Sequence, residues 1–213
     1  LFLSLSRPKI TQTLISSFGS SFGSLCFVFV RYLQYSLTCS ECIFDFSVAG
    51  GNCTGSSAGL PPSECDAWIK FHDSTTGSRW RVCSNKRTDP CSCVGVKCFE
   101  NHIVSINLYR YRLDGTIPAA LSALSSLTYL HLSNNEPWMN RLRGTIPAEL
   151  SQLTAMQSLW LANNTLSGAI PAGFSNLVAM KGLHLENNRF TGHLPSFNFA
   201  QFHQCALYDQ FAS

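Results

Sequence analysis

The chain has 213 residues, of which 45% are hydrophobic, and a formal net charge of +3, so it is long enough for one folded domain plus additional segments. Residues 103–200 contain six Lys or Arg against four Asp or Glu without a dense basic stripe, which argues against nucleic acid as a partner. Ten cysteines are present and all but Cys205 lie at or before Cys98, a distribution typical of secreted proteins that stabilise a small region with disulfides.

Residues 1–38 have some features of a secretory signal. Arg7 and Lys9 precede 21 uncharged residues, and residues 25–30 (LCFVFV) are continuously apolar but too few to span a bilayer by themselves. The segment is either a signal or signal anchor, or a mistranslated upstream stretch. Membrane attachment would require this anchor or a span beyond the C-terminus.

Residues 39–62 are rich in Gly, Ser and Cys without apolar periodicity, which predicts a linker. The folded part is expected to begin at Ser63 with a cap over residues 63–102. The apolar spacing of residues 66–71 (DAWIKF) predicts a short helix, and Ser63, three residues before Asp66, is expected to cap it.

The cap contains closely spaced cysteines that are predicted to form disulfides. A closed zinc site usually pairs two regularly spaced knuckles, and this region shows no such pairing, so zinc is the weaker interpretation. The cysteines concerned are Cys65, Cys83, Cys91, Cys93 and Cys98.

Residues 103–200 repeat with a period that can be counted from glycines. Gly115, Gly144, Gly168 and Gly192 are spaced 29, 24 and 24 residues apart, and five extra residues at 136–140 explain the longer interval. A fixed period in this range predicts a repeat solenoid of about four 24-residue units.

Each unit contains three apolar residues, and the last two alternate at period two, which predicts one short strand per unit in a parallel stack. The units then close with Gly-x-Ile/Leu-Pro, which predicts a convex side of irregular or short helical turns. The apolar sets are Ile103, Ile106 and Leu108; Leu127, Leu130 and Leu132; Met156, Leu159 and Leu161; and Met180, Leu183 and Leu185.

An asparagine follows each strand except the first, at Asn135, Asn164 and Asn188, with Tyr111 at the first position. A turning backbone without strand partners needs polar side chains to satisfy its hydrogen bonds, and a stack of short amides can do so. The pattern therefore predicts an asparagine ladder along the solenoid.

The strings LTYLHLSNN at residues 127–135, LWLANNTLSGAIP at 159–171 and LHLENNRFTGHLP at 183–195 resemble the plant-specific class of leucine-rich repeats. That class occurs in receptor-kinase ectodomains and polygalacturonase-inhibitor-like proteins. Residues 89–98 (DPCSCVGVKC) are similar to its N-terminal cap, although Cys93 stands where a tryptophan is usual. The resemblance implies an α/β-type leucine-rich-repeat solenoid with an N-terminal disulfide cap.

The resemblance also implies disulfide pairings and a C-terminal boundary. Cys91 or Cys93 joined to Cys98 matches the bracket of that class, and Cys65 is then within reach of Cys83, with one cysteine left over. Residues 201–213 are expected to be an incomplete C-terminal cap or tail.

The strand positions that face outward supply the candidate site. In the resembling class, concave and lateral faces bind peptides, steroids, carbohydrates or proteins, and exposed aromatic side chains favour recognition. The alternative is that solvent-facing positions simply vary. The candidate concave residues are Asn107, Tyr109, Tyr129, His131, Trp160, His184 and Glu186.

Other features add candidate sites around this face. His131 and His184 sit two strands apart, roughly 9–10 Å, without a third ligand between them, so a metal site is not expected. Trp138, in the insertion, is predicted either to touch ligand or to cover the second repeat. Asn52 and Asn163 begin glycosylation triplets.

The sequence favours an extracellular recognition module that binds a protein, peptide or carbohydrate ligand, either free or as the outer part of a receptor. Neither a phosphate-binding loop nor a nucleophile motif is found, so neither catalysis nor a cofactor is expected. Two alternatives stay open: a secreted inhibitor of cell-wall hydrolases and a passive surface structural protein. Assays against a hydrolase panel would separate the inhibitor from the binder.

Overall fold

The computed structural model describes residues 53–133, 141–197, 200 and 202–206, with the backbone alone at 204–206. Several predictions therefore lie outside the described residues: the signal or signal anchor at 1–38, the Asn52 triplet, Asn135, and Trp138 with its insertion. The same holds for residues 207–213 of the predicted tail.

Helix α1 of the cap, Pro62–Ser74, confirms the predicted helix and extends it in both directions. Pro62 starts the helix, where a missing N–H costs nothing. The expected cap at Ser63 is wrong, because Ser63 lies inside the first turn and the N-cap residue is Pro61. The helix buries Trp68 and Phe71 against Trp80, with ring centroids 5.6–5.9 Å apart.

The ordered cap extends further upstream than the sequence predicts. Cys53 is bonded to Cys65, the Thr54 N–H donates to the Thr88 carbonyl at 2.7 Å, and Ser57 Oγ donates to Asp89 at 2.8 Å. The predicted linker boundary at residue 62 is therefore wrong, because these contacts attach residues 53–57 to the cap. A Gly- and Ser-rich composition did not reveal them.

Three disulfides join the cap: Cys53–Cys65, Cys83–Cys93 and Cys91–Cys98. Of the two alternatives for Cys98, the structure has Cys91. The predicted Cys65–Cys83 bond is wrong, because Cys65 is bonded to Cys53 and Cys83 is bonded to Cys93. The Cα–Cα distances of these two bonds are 5.6 and 5.3 Å. Three short 3-10 helices, Gly55–Ser57, Gly77–Arg79 and Pro90–Ser92, lie in the same region.

The cap is joined to the repeats by a hairpin and by one buried carboxylate. Strand β1, Val96–Phe99, pairs antiparallel with β2, His102–Asn107. Glu64 on α1 is 2% exposed; its Oε2 accepts from the Ile103 N–H at 2.8 Å, and its Oε1 lies 2.6 Å from His102 Nδ1. The helix is thereby attached to the first strand of the repeats.

The principal sheet adds four further strands to β1 and β2, and it is parallel from β2 onward. One strand comes from each unit, as predicted, and the apolar residues at equivalent positions are adjacent and buried across the stack. The added strands are β4, Tyr129–His131; β6, Ser158–Trp160; β8, Gly182–His184; and β10, Gln204–Ala206. Their order in the sheet is β1-β2-β4-β6-β8-β10.

A second parallel sheet of four strands was not predicted from the sequence. Its strands are β3, Asp114–Gly115; β5, Arg141–Gly144; β7, Thr165–Gly168; and β9, Arg189–Phe190. A 3-10 helix follows each of the first three closing prolines, and these helices form the predicted convex layer: Ala119–Ala123, Ala148–Gln152 and Ala172–Asn176.

The asparagine ladder is present at both of its described positions. Asn164 Oδ1 accepts from the Leu142 N–H at 3.1 Å, and Asn164 Nδ2 donates to the carbonyls of Leu132, Leu161 and Ala162. Asn188 repeats the pattern one unit later, accepting from the Leu166 N–H. Each side chain thus connects its own unit to the preceding one.

Candidate ligand-binding surface on the principal sheet

The strand register places four predicted residues side by side across the outer face of the principal sheet. Asn107 pairs with His131, His131 with Trp160, and Trp160 with His184. We call these four residues the central column. Their alignment follows from the 24-residue period and the tight pairing of equivalent strand positions.

The rings of the central column pack against one another. The ring centroid of Trp160 lies 4.6 Å from that of His131 and 4.7 Å from that of His184. Tyr109 stacks on His131 at 5.1 Å, and Tyr129 contacts Trp160 at 5.8 Å. The predicted exposed tryptophan is therefore half-buried, because neighbouring rings cover part of it.

The indole of Trp160 leans toward the next strand, where glycine leaves room for it. A Cβ atom at Gly182 would lie 3.4 Å from Trp160 Nε1 and 3.3 Å from Ser158 Oγ, both close contacts. The equivalent position carries Tyr129 in β4 and Ser158 in β6. Gly182 thus lets the ring settle against the sheet surface.

His131 is the most enclosed member of the column, with 8% of its surface exposed. Burial, together with the charge of His184, lowers the pKa of His131 to about 4. The imidazole is consequently neutral at neutral and mildly acidic pH. Its Nδ1 lies 3.2 Å from the Tyr129 hydroxyl, and burial raises the pKa of that phenol.

A concave pocket of about 270 Å³ opens beside the column. It brings together five of the seven predicted concave residues, whereas Asn107 and Tyr129 do not line it. Ser133 and Ala162 were not among the predicted residues, although period-two counting from His131 and Trp160 would have found them. The lining residues are Tyr109, His131, Ser133, Trp160, Ala162, His184 and Glu186.

Glu186 supplies the pocket's carboxylate, and its side chain is 22% exposed. Its Oε1 lies 3.6 Å from His184 Nδ1, too far for a good hydrogen bond. Three atoms in this group are shielded from water and have no hydrogen-bond partner among the described residues: Trp160 Nε1, His184 Nε2 and Glu186 Oε2. Buried polar atoms in folded proteins usually have partners, so this cluster is unusual.

The remaining candidate features lie around this surface. Within the described ranges, no three or more His, Cys, Asp or Glu side chains are arranged to hold a metal ion, and no helix there is both long and apolar enough to cross a membrane. Asn163 is half-exposed in a left-handed turn with φ of 56°, and its Oδ1 accepts from Asn187 Nδ2 at 2.9 Å.

Comparisons with known proteins agree with this architecture. Residues 155–177 match the model of the leucine-rich-repeat family. No curated protein sequence matches the chain.

Solved plant receptor ectodomains have a similar structure. The leucine-rich-repeat ectodomain of the receptor kinase SOBIR1 from Arabidopsis thaliana has 24% identity and a TM-score of 0.61, covering 72% of this chain and 83% of its own. The leucine-rich-repeat ectodomain of GASSHO1/SCHENGEN3 from Arabidopsis thaliana was solved in complex with CASPARIAN STRIP INTEGRITY FACTOR 2. It has 28% identity and a TM-score of 0.59, and the match covers 68% of this chain and 18% of that chain.

The PEPR1–AtPEP1 structure is similar to a comparable degree. It has 26% identity and a TM-score of 0.57, and the match covers 69% of this chain and 21% of that chain. This chain therefore spans most of the SOBIR1 ectodomain but only about a fifth of the other two.

Proposed function

The chain folds as a leucine-rich-repeat solenoid, and from this we propose that it is an extracellular recognition module whose principal sheet binds a peptide or a segment of a protein. The binding surface comprises the central column and the pocket beside it. In this proposal the chain acts by binding rather than by catalysis.

The observation that carries the proposal is the cluster of polar atoms without partners at Trp160, His184 and Glu186. A buried polar atom without a hydrogen-bond partner costs about 1–3 kcal/mol. A bound ligand that supplies partners recovers this free energy. Aromatic rings on the same surface offer large rigid contact area at low entropic cost.

The comparisons support a peptide or protein as the ligand. GASSHO1/SCHENGEN3 was solved in complex with CASPARIAN STRIP INTEGRITY FACTOR 2, and PEPR1 with AtPEP1. Both exceed 25% identity to this chain, although the similarity covers a small part of each. Three disulfides in the cap favour an oxidising, extracellular location.

The size of the sheet limits how much ligand it can contact. The parallel strands β2, β4, β6, β8 and β10 span about 19 Å at ~4.8 Å per strand. This width suits a short peptide or one patch of a protein. Affinity would then depend on a few anchoring contacts in the pocket.

Trp160 provides the test of this proposal. We expect peptides selected on the wild-type chain from a displayed random library to lose at least tenfold in affinity for Trp160→Ala, because the substitution removes the largest ring of the surface. Binding is measured by titrating the selected synthetic peptides. The substitution should also cost about 1–3 kcal/mol of stability, since the indole packs on two histidines.

The matched control is Val178→Ala, which changes a residue that is 74% exposed and follows the convex 3-10 helix Ala172–Asn176. Peptide affinity should be unchanged in this variant. If selected peptides bind Trp160→Ala as tightly as the wild type, the principal sheet is not the binding surface.

A further inference from the structure

The pocket beside the central column combines one carboxylate with aromatic walls. Among the described residues that line it, Glu186 is the one acidic side chain, and none is Lys or Arg. Tyr109, His131 and Trp160 contribute rings. Aromatic faces and a carboxylate both attract positive charge, so the two features favour the same kind of ligand group.

We propose that this pocket binds the cationic side chain, lysine or arginine, of a peptide ligand. The inference rests on the proposed function and specifies the ligand chemistry at the same surface. The cation lies beside Glu186 and against the aromatic rings, and its N–H groups donate to the carboxylate.

The hydrogen-bonding state of Glu186 supports a donor in the ligand. Its Oε2 has no partner within residues 53–133 and 141–197, and its Oε1 remains 3.6 Å from His184 Nδ1, so the carboxylate makes no short hydrogen bond. Because Oε2 is shielded from water, the side chain must turn toward the pocket for a ligand donor to reach that oxygen. A charged N–H donor forms the strongest hydrogen bonds with such an oxygen. A neutral hydroxyl could donate to it as well but would bring no positive charge to the carboxylate.

Of the two histidines that line the pocket, His131 does not oppose a cation, whereas His184 would oppose one in its protonated form. His131 is neutral at neutral pH because burial lowers its pKa to about 4. Arg110 holds its guanidinium 5.1 Å from the Tyr109 ring centroid, so a ring of this cluster already contacts a guanidinium. Arg110 does not itself line the pocket.

The volume indicates that a single side chain enters. Sites for whole small molecules usually measure about 300–1,000 Å³. At about 270 Å³ the pocket falls just below that range. It therefore matches one anchoring residue of a longer ligand, while the rest of the peptide crosses the sheet.

The test uses blocked Gly-X-Gly tripeptides in which X is Lys, Arg, the neutral arginine analogue citrulline, or Glu, together with a neutral disaccharide. Binding to the full chain is followed by the indole N–H resonance of Trp160, assigned from the spectrum of Trp160→Phe. We expect saturable shifts with the Lys and Arg peptides. Citrulline, Glu and the disaccharide should bind at least tenfold more weakly.

Variants of the chain give a second, independent measurement. Glu186→Gln preserves shape and should weaken binding of the Arg peptide at least tenfold, whereas Glu149→Gln, on the convex 3-10 helix Ala148–Gln152, should not change it. Equal binding of citrulline and Arg peptides to the wild type overturns the proposal, as does unchanged binding to Glu186→Gln or the absence of any shift with the cationic peptides.

Failure of this inference can be told apart from failure of the proposed function. If library-selected peptides depend on Trp160 yet show no enrichment of Lys or Arg and no dependence on Glu186, the surface binds peptides but the cation proposal is wrong. If selected peptides bind independently of Trp160, the proposed function fails as well, because the principal sheet is then not the binding surface.

Discussion

At the scale of single residues, one amide can connect several turns of backbone. Asn164 is 8% exposed, and its side chain pairs with one N–H and three carbonyls from two successive units. The three carbonyls lie just after strands β4 and β6, and the N–H belongs to β5. The side chain therefore replaces hydrogen bonds that a regular element would supply.

We expect Asn164→Ala to lower the free energy of unfolding by roughly 3 kcal/mol, because each buried group left unsatisfied costs about 1–3 kcal/mol. Denaturant unfolding measures the change. The control is Asn176→Ala, at an exposed position of the convex 3-10 helix. A loss in Asn164→Ala no larger than in the control would contradict the ladder's stabilising role.

His131 predicts a pH dependence of stability. Its pKa is lowered to about 4 in the fold, while an unfolded histidine titrates near 6.5. Below pH 6.5 the histidine is protonated in the unfolded chain but stays neutral in the folded chain until the pH approaches 4. The free energy of unfolding should therefore fall as the pH drops from 6.5 to 4, by about 1.4 kcal/mol per pH unit, and this contribution is constant above and below that window.

Urea unfolding at several pH values, compared between the wild type and His131→Asn, measures this effect. The variant should show a shallower slope between pH 6.5 and 4. It should retain some slope, because burial also lowers the pKa of His72 in the cap. Parallel slopes for the two proteins would show that His131 does not titrate as its burial implies.

At the scale of elements, the cap is held together by disulfides and by hydrogen bonds between its segments. The Cys53–Cys65 bond fastens residues 53–57 to helix α1 and closes a short loop, with a sequence separation of 12. Closing such a loop restricts the unfolded chain. The bond therefore contributes stability even though the segment buries little apolar surface.

Replacing both cysteines, Cys53→Ser with Cys65→Ala, should cost about 2–4 kcal/mol of unfolding free energy, the usual range for a native disulfide. Thermal and denaturant unfolding provide the measurement. Ser63→Ala, at an exposed position of the same helix, serves as the control and should unfold like the wild type. Wild-type stability of the double variant would show that the segment adds nothing to the cap.

The sequence predicts the elements that repeat and misses those that do not. Ile106, Leu130, Leu159 and Leu183 recur every 24 residues once the five extra residues at 136–140 are set aside, so their strands and burial follow from counting. The strands of the second sheet could not be predicted by the same counting. Its strands have only two to four residues, and their exposed positions, such as Arg141 and Arg143, give little apolar alternation.

The site was predictable in position but not in packing. Register alone places His131 beside Trp160. The burial of His131, in contrast, results from rings more than twenty residues away on either side, and no local pattern encodes how they lean. The Cys53–Cys65 pairing escaped prediction for a related reason, because it depends on the path of a segment without periodicity.

At the scale of the whole molecule, the position of Asn163 bears on which faces a partner can reach. Asn163 begins the triplet Asn163-Asn164-Thr165 and lies half-exposed in a turn beyond strand β6. A glycan there would project from the turn after β6, next to Ala162 of the pocket lining, and would restrict approach from that side.

We expect the chain, secreted from a eukaryotic host, to carry an N-glycan at Asn163. Enzymatic deglycosylation followed by peptide mapping measures occupancy, and Asn163→Gln should abolish the signal at this site. Asn187→Gln changes the side chain that donates to Asn163 without touching a triplet, so it should leave the glycan in place. An unmodified Asn163 peptide from the wild type would refute the assignment.

The asparagine ladder also constrains how such a chain can change length during evolution. Asn164 and Asn188 each reach into the preceding unit, so loss or gain of a whole 24-residue unit would bring an equivalent asparagine to an equivalent backbone. An insertion of any other length between strand and asparagine would leave carbonyls in both units without donors. Lineages of this fold should therefore lengthen or shorten by complete units, while smaller insertions accumulate beyond the asparagine, where residues 136–140 stand in this sequence.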